Sequence, residues 1–297
     1  MRGLVIIAAV AALLAMPVRA ENRLNVVASF SILGDFVKNV GGDKVNVTTL
    51  VGPSGDAHVY TPAPDDARKV ADARLLIVNG LGLEGWLPRL VESSGSKATI
   101  VTSSNGVAPL QVASQSAVND TIHPDPHAWQ SVANAKIYVR NISEALIAAD
   151  PADAERFRAD AARYLSELDA LDAEVRSEVA KIPPERRKVI STHRAFGYFA
   201  KAYGIEFLAP EGVSTEEEPS ARDVADIITQ VKASKVPAVF LENMSDPRLM
   251  RRIASETGAK VGGTLFSDAL TDEKGDAPTY IDLVRHNIKA LTGALGN

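Results

Sequence analysis

One stretch in the middle of the chain is too long to fit inside a single small sheet. Asp150 and Pro151 open it, as N-cap and first-turn proline of a helix. Leu165, Leu168, Leu171, Val175 and Val179 then keep a three-and-four spacing until Pro183 and Pro184 end it. A helix over 151–182 would span roughly 48 Å at about 1.5 Å per residue. That exceeds the needs of a crossover within one sheet, so the spacing predicts a strut joining two lobes.

The flanking sequence supports two lobes. Before the strut, LNVVASF (24–30), VNVTTLV (45–51), RLLIVNG (74–80) and ATIVTSS (98–104) read as strands, with helical stretches near 31–41, 64–73 and 83–93. After it, KVISTH (188–193), IEFLAP (205–210), AVFLEN (238–243) and AKVGGTLF (259–266) read as strands, with helices near 195–203, 220–234, 247–257 and 279–294. This alternation predicts an α/β fold: two lobes, each a mostly parallel sheet flanked by helices, joined by one long backbone helix. The expected boundaries are 21–149 for the N-terminal lobe, 150–184 for the linking helix and 185–297 for the C-terminal lobe. A polar, Ser/Asn/Gln-rich segment from Ser103 to Asp125 reads as a mobile loop. In the last helix, Ile281, Val284, Ile288, Leu291 and Leu295 form a core-facing stripe.

The first twenty residues combine a basic start at Arg2, an apolar run from Leu4 to Met16 and the triplet Val18-Arg19-Ala20. They read as an export signal cleaved after Ala20, with a membrane anchor as the alternative; the apolar run is short for a span. Loss of Arg2 and Arg19 takes the formal charge from −5 to −7, which suits cations and argues against nucleic acid as a partner. There is no cysteine, so thiolate metal sites and thiol nucleophiles are excluded. Without a cysteine to carry lipid, the expectation is a free periplasmic protein that is not lipid-anchored.

The candidate chemistry lies at strand ends. In HPDPHAWQ (123–130), His123 and His127 stand four apart, a chelating spacing on a helix. Pro124 and Pro126 break that helix, so any metal partners of His127 must come from elsewhere. His58 follows the second strand in GDAHVYTPAP, His193 ends KVISTH, and Asp268 follows VGGTLF. Ligands of open α/β sheets gather beyond the carboxyl ends of strands, so two facing lobes can bring His58 and His127 against His193 and Asp268. Three imidazoles and a carboxylate suit Zn²⁺. Taken singly, each histidine reads as an ordinary surface residue and the aspartate as a helix cap. His123 reads as a solvated histidine or a secondary capture ligand, and His286 as a polar-face residue of the last helix.

Longer motifs carry a resemblance. DAHVYTPAPDDARKVADARLLIVNGLGLEGWL (56–87), DPHAWQSVANA (125–135), STHRAFGYFAKAYGI (191–205), STEEEPSARDVADI (214–227) and GTLFSDAL (263–270) occur in one order. The chain thereby resembles the zinc and manganese receptors of bacterial ABC importers, the cluster A-I solute-binding proteins, from about Asn22 onward. The resemblance implies metal bound between two lobes at His58, His127, His193 and Asp268. Zinc receptors carry histidine at the third ligand position and manganese receptors usually glutamate, so His193 favours Zn²⁺ as the transported ligand. Implied partners are the membrane permease with its ATPase and, because the His-rich loop of many zinc receptors is reduced here to His123, possible help from a periplasmic metallochaperone. A monomer is expected, and no enzyme activity. Alternatives of the same fold are a manganese-type receptor and a metal-dependent adhesin; a secreted zinc hydrolase is disfavoured by the absence of HExxH. GLGLEGWL (80–87) reads as a tight turn with a half-buried Trp86. Glu216, Glu217 and Glu218 read as helix-capping acids or a permease contact. At an unperturbed histidine pKa of about 6.5, metal affinity is expected to fall below roughly pH 6.5.

Overall fold

The computed structural model describes residues 23–113, 122–216 and 219–296. The export signal read over 1–20, the middle of the polar segment, and Glu217 and Glu218 lie outside the described residues.

The first lobe is built on four parallel strands, β1 (Leu24–Phe30), β2 (Val45–Val51), β3 (Leu75–Val78) and β4 (Thr99–Thr102), in the order β2-β1-β3-β4. All four residues of β3, LLIV, are buried, as a parallel strand covered on both faces requires. Helices α1 (Ser31–Gly41), α2 (Pro64–Ala71) and α3 (Leu87–Ser94) make the crossovers. The stretch 52–63, which carries His58, contains neither helix nor strand.

The segment expected to be a loop from Ser103 to Asp125 contains a short antiparallel ribbon, β5 (Gln111–Ala113) paired with β6 (Ile122–Pro124). Three-residue strands are too short to show alternation in sequence, and Pro124 is tolerated because the ribbon is all edge. His123 sits exposed on β6 opposite Val112.

The chain then forms α4 (Val132–Ala149) and the long α5 (Ala154–Ala180). A 3-10 turn over Pro151–Asp153 precedes α5, and the Asp150 carboxylate accepts from the Ala152 amide at 3.2 Å. The 27 residues of α5 cover roughly 40 Å. Its buried stripe is Phe157, Ala161, Tyr164, Leu168, Leu171, Val175 and Val179, with Tyr164 rather than Leu165 facing fully inward.

The second lobe has β7 (Lys188–Ile190), β8 (Glu206–Leu208), β9 (Ala238–Glu242) and β10 (Lys260–Leu265), all parallel in the order β10-β9-β7-β8. Helices α6 (Gly197–Tyr203), α7 (Ala221–Ser234), α8 (Arg248–Thr257) and α9 (Tyr280–Leu295) accompany it. Chain order reverses between β1 and β3 in one sheet and between β7 and β9 in the other, so each sheet opens a crevice at that switch point.

One apolar core runs unbroken from β1 and α1 through α4 and α5 to β9, β10 and α9, so the lobes share an interior. Polar ties cross the same junction. The buried Asp35 carboxylate on α1 accepts from the Tyr280 amide at the start of α9 (3.0 Å) and from the Tyr164 hydroxyl of α5 (3.3 Å). Burial pushes its pKa up to about 6, against the pull of those two donors. The Trp129 indole and the Gln130 amide both donate to the Ser267 carbonyl, at 3.0 and 2.6 Å.

Candidate metal centre

Four polar side chains converge where the two crevices face each other. His193 stands just past β7, Asp268 just past β10, His127 caps a 3-10 turn (Ala128–Gln130) leading into α4, and His58 comes from the irregular stretch after β2. His127, His193 and Asp268 have no exposed surface, and His58 is 6% exposed.

The donor atoms are close together. His127 Nε2 lies 3.1 Å from His58 Nε2 and 3.3 Å from His193 Nε2. Asp268 Oδ2 lies 3.1 Å from His193 Nε2 and 3.4 Å from His58 Nε2, and Asp268 Oδ1 lies 3.6 Å from His127 Nε2. A tetrahedral ion with bonds of about 2.0–2.1 Å needs ligand atoms roughly 3.3–3.4 Å apart. The spacing therefore fits one small cation. Both Asp268 oxygens are buried and face nothing polar but the imidazole nitrogens of the cluster itself, so a cation in their midst would compensate the buried carboxylate. Among the described residues this is the single cluster of its kind.

Carboxylates behind the rings fix their orientation. The Nδ1–H of His127 donates to Asp125 Oδ1 at 2.8 Å, and its backbone N–H donates to the same oxygen at 2.9 Å. The Nδ1–H of His193 donates to Glu242 Oε2 at 2.6 Å. Glu242 also accepts from the Thr192 and His193 amides (2.8 and 3.1 Å) and from the Ser267 hydroxyl (2.9 Å). Asp56 serves His58 differently, accepting from its backbone N–H at 2.8 Å. These supports leave each Nε2 pointing into the shared space.

The electrostatics follow from the same contacts. Burial would lower the His127 imidazole, but Asp268 and Asp125 overcome it and hold its pKa up at about 9. His193 is also buried, yet Glu242 and Asp268 raise it well above the ordinary histidine value. Burial lowers His58, and the nearby Asp268 only partly offsets that. Asp268 is pulled well below the usual carboxylate range by His127 and His193 despite its burial.

The structure thus brings together the four residues singled out from sequence and leaves two histidines outside. His123 is on the exposed ribbon. His286 packs edge-on to Phe266 and contacts the Thr264 carbonyl at 3.0 Å. GLGLEGWL is a tight turn, with Gly80, Leu81 and Gly82 all at positive φ. It also holds a buried carboxylate that sequence reading missed. Glu84 accepts from the Ser29 hydroxyl (2.7 Å) and the Asn79 amide (2.6 Å), and the Asn79 side chain donates to the Pro126 carbonyl at 2.9 Å, next to His127. Glu242 was missed too. An acid ending a buried strand at a switch point was the available signal.

Two parallel-sheet lobes on a long helix, with a buried cation-sized cluster between them, define the class of metal-binding substrate receptors. The family described as "ZnuA: Zinc-uptake complex component A periplasmic" matches residues 26–294, and the chain belongs to it. It is 35% identical to manganese-binding lipoprotein MntA of Halalkalibacterium halodurans, covering 92% of this chain and 88% of the relative. It is 33% identical to iron-binding protein YfeA of Yersinia pestis, over 94% and 89% of the two chains. Among solved structures it resembles periplasmic zinc-binding protein TroA of Treponema pallidum, with a TM-score of 0.86, 31% identity, and coverage of 93% and 100%. The chain is a metal-binding substrate-binding protein of ABC transporters, a class that works with membrane permease and ATPase components.

One expectation is overturned here. MntA is named a lipoprotein, and so are the streptococcal relatives PsaA and ScbA, against the reading of a receptor without a lipid anchor. The absence of cysteine addresses a single attachment chemistry, the lipidated thiol, and did not license the wider conclusion.

Proposed function

We propose that the chain captures Zn²⁺ through His58, His127 and His193 Nε2 together with Asp268, and hands it to the permease of an ABC importer. The observation that carries this reading is the set of 3.1–3.6 Å separations among buried donors, the edge lengths of a tetrahedron sized for zinc. Three imidazoles also suit zinc better than a hard, oxygen-seeking ion. Zinc is cargo here, and four protein donors leave no open position for a catalytic water, so the reading is a receptor and not an enzyme. The functional units are 21–149, the linking helix 150–184 and 185–297, following an export signal at 1–20. The receptor acts as a monomer, and a metallochaperone is a further partner consistent with the lone His123 in its ribbon.

A second reading has its own support. MntA and PsaA are named for manganese, and both Asp268 oxygens face the histidine cluster, which would let the carboxylate bind through both, giving a five-donor site. Zinc binds more tightly than manganese at most nitrogen and oxygen sites, so a preference for zinc does not by itself discriminate, whereas the size of the gap does. The informative quantity is the affinity for manganese alone, titrated into metal-free protein. A zinc receptor should bind manganese at least about 100-fold more weakly than zinc, a gap of roughly 2.7 kcal/mol. Manganese affinity within about tenfold of zinc would overturn the zinc assignment.

A further inference from the structure

The three donors without exposed surface leave the ion no exit unless a ligand moves. His193, Asp268 and His127 are fixed by strand ends, by Glu242 or by the turn behind Asp125. Of the four donors His58 lies farthest from an ordered element, seven residues past the end of β2 and six before α2, and it alone retains exposure, 6%. That stretch is held against the opposite lobe at two points. The Ser54 amide, at a left-handed φ of 55°, donates to the Leu270 carbonyl at 2.8 Å. The Thr215 hydroxyl donates to Asp56 Oδ2 at 2.6 Å, while Asp56 Oδ1 receives the His58 backbone N–H. One carboxylate therefore ties the C-terminal lobe to the main chain of a metal donor. A cavity of about 520 Å³, lined in part by Asp56, Glu211, Thr215 and Asp246, abuts that bond.

We propose that the Asp56–Thr215 hydrogen bond latches the His58 stretch and sets the rate at which metal leaves. This rests on the four-donor reading of the site. Asp56 and Thr215 are positioning residues, since they act on the ion only through His58. A hydrogen bond to a charged group is strong enough to change an opening rate by about tenfold or more.

Zinc-loaded protein mixed with excess EDTA tests the latch by stopped flow. Thr215→Val, with Thr215→Ala as its second form, should release zinc about tenfold faster than wild type, and Thr215→Ser should restore the wild-type rate. Asp56→Ala should be at least as fast, and adding Thr215→Val to it should bring no further gain. The thermal midpoint of metal-free Thr215→Val should match wild type, which separates a latch from a general loss of structure. Zinc bound tightly but released at the wild-type rate from Thr215→Val and Thr215→Ala overturns the latch and leaves the four-donor site standing. If His58→Ala binds zinc as wild type does, the site reading itself falls, and the latch with it.

Discussion

His193 and His58 each have a carboxylate beside them, and the two carboxylates do opposite things. Glu242 grips the His193 ring at Nδ1, takes two backbone amides of the same turn and is itself held by Ser267. Asp56 grips only the His58 main chain and spends its other oxygen on the far lobe. Packing follows the same division. The His193 corner follows within three residues of β7, whereas His58 stands seven residues past β2, in the middle of irregular chain. The comparison teaches that a buried site can combine a prepared half, where donors wait in position, with a movable donor that admits and releases the ion. Preparation favours affinity, since little ordering cost remains to be met on binding. The movable corner favours exchange.

The largest effects should come from removing donors. Structural zinc sites gain about 10–16 kcal/mol from four ligands, so His193→Ala, His127→Ala or His58→Ala should each weaken zinc by about 100- to 1,000-fold in competition titrations. His123→Ala should leave the tight site intact. An unchanged affinity in His193→Ala would break the comparison at its prepared end. A step smaller, Glu242→Ala should cost about 10- to 100-fold in affinity by freeing the His193 ring. Equal affinity in Glu242→Ala and wild type would show that orientation of that ring is not limiting.

The chain's architecture was legible because its elements are long and periodic. The apolar period of the strut, stopped by two prolines, exposed the division into lobes, and the places where strands or loops hand over to helices, together with the family motifs, pointed to His58, His127, His193 and Asp268. What escaped were contacts between residues distant in sequence. Glu242 is 49 positions from His193, and only its place as an acid at the end of AVFLE hints at a role. Asp56 and Thr215 are 159 positions apart, and although each lies in one of the longer motifs, nothing local pairs them. The ribbon of β5 and β6 escaped because its strands are three residues each.

The charge environment also changes the expected pH dependence. Ordinary histidines would compete with metal only below about pH 6.5. Here His127 stays protonated up to about pH 9 and His193 is raised as well, while Asp268 is already ionised. Zinc must displace those protons, so affinity should climb with pH from neutrality through about 9, with about two protons released per zinc at pH 7.5. Calorimetry in buffers of different ionisation enthalpy measures that number, and a value near zero would contradict the raised pair. The metal-free fold should show the matching sign. A raised histidine binds more protons when folded, so His127 contributes stability that is fully present below about pH 6.5 and is lost as pH rises through about 9.

The smallest expected effect is on overall shape. A core continuous through α5 resists hinge bending, so small-angle scattering should give nearly the same radius of gyration with and without zinc. A large change would mean that the lobes, and not the His58 corner, provide the motion.

The most direct test is crystallographic. Diffraction from zinc-loaded protein, recorded on both sides of the zinc absorption edge, should give one anomalous peak per chain, about 2.0–2.1 Å from Nε2 of His58, His127 and His193 and about 2.0–2.2 Å from an Asp268 oxygen. A zinc peak elsewhere, or one that leaves two or more of these donors beyond bonding distance, would contradict the account.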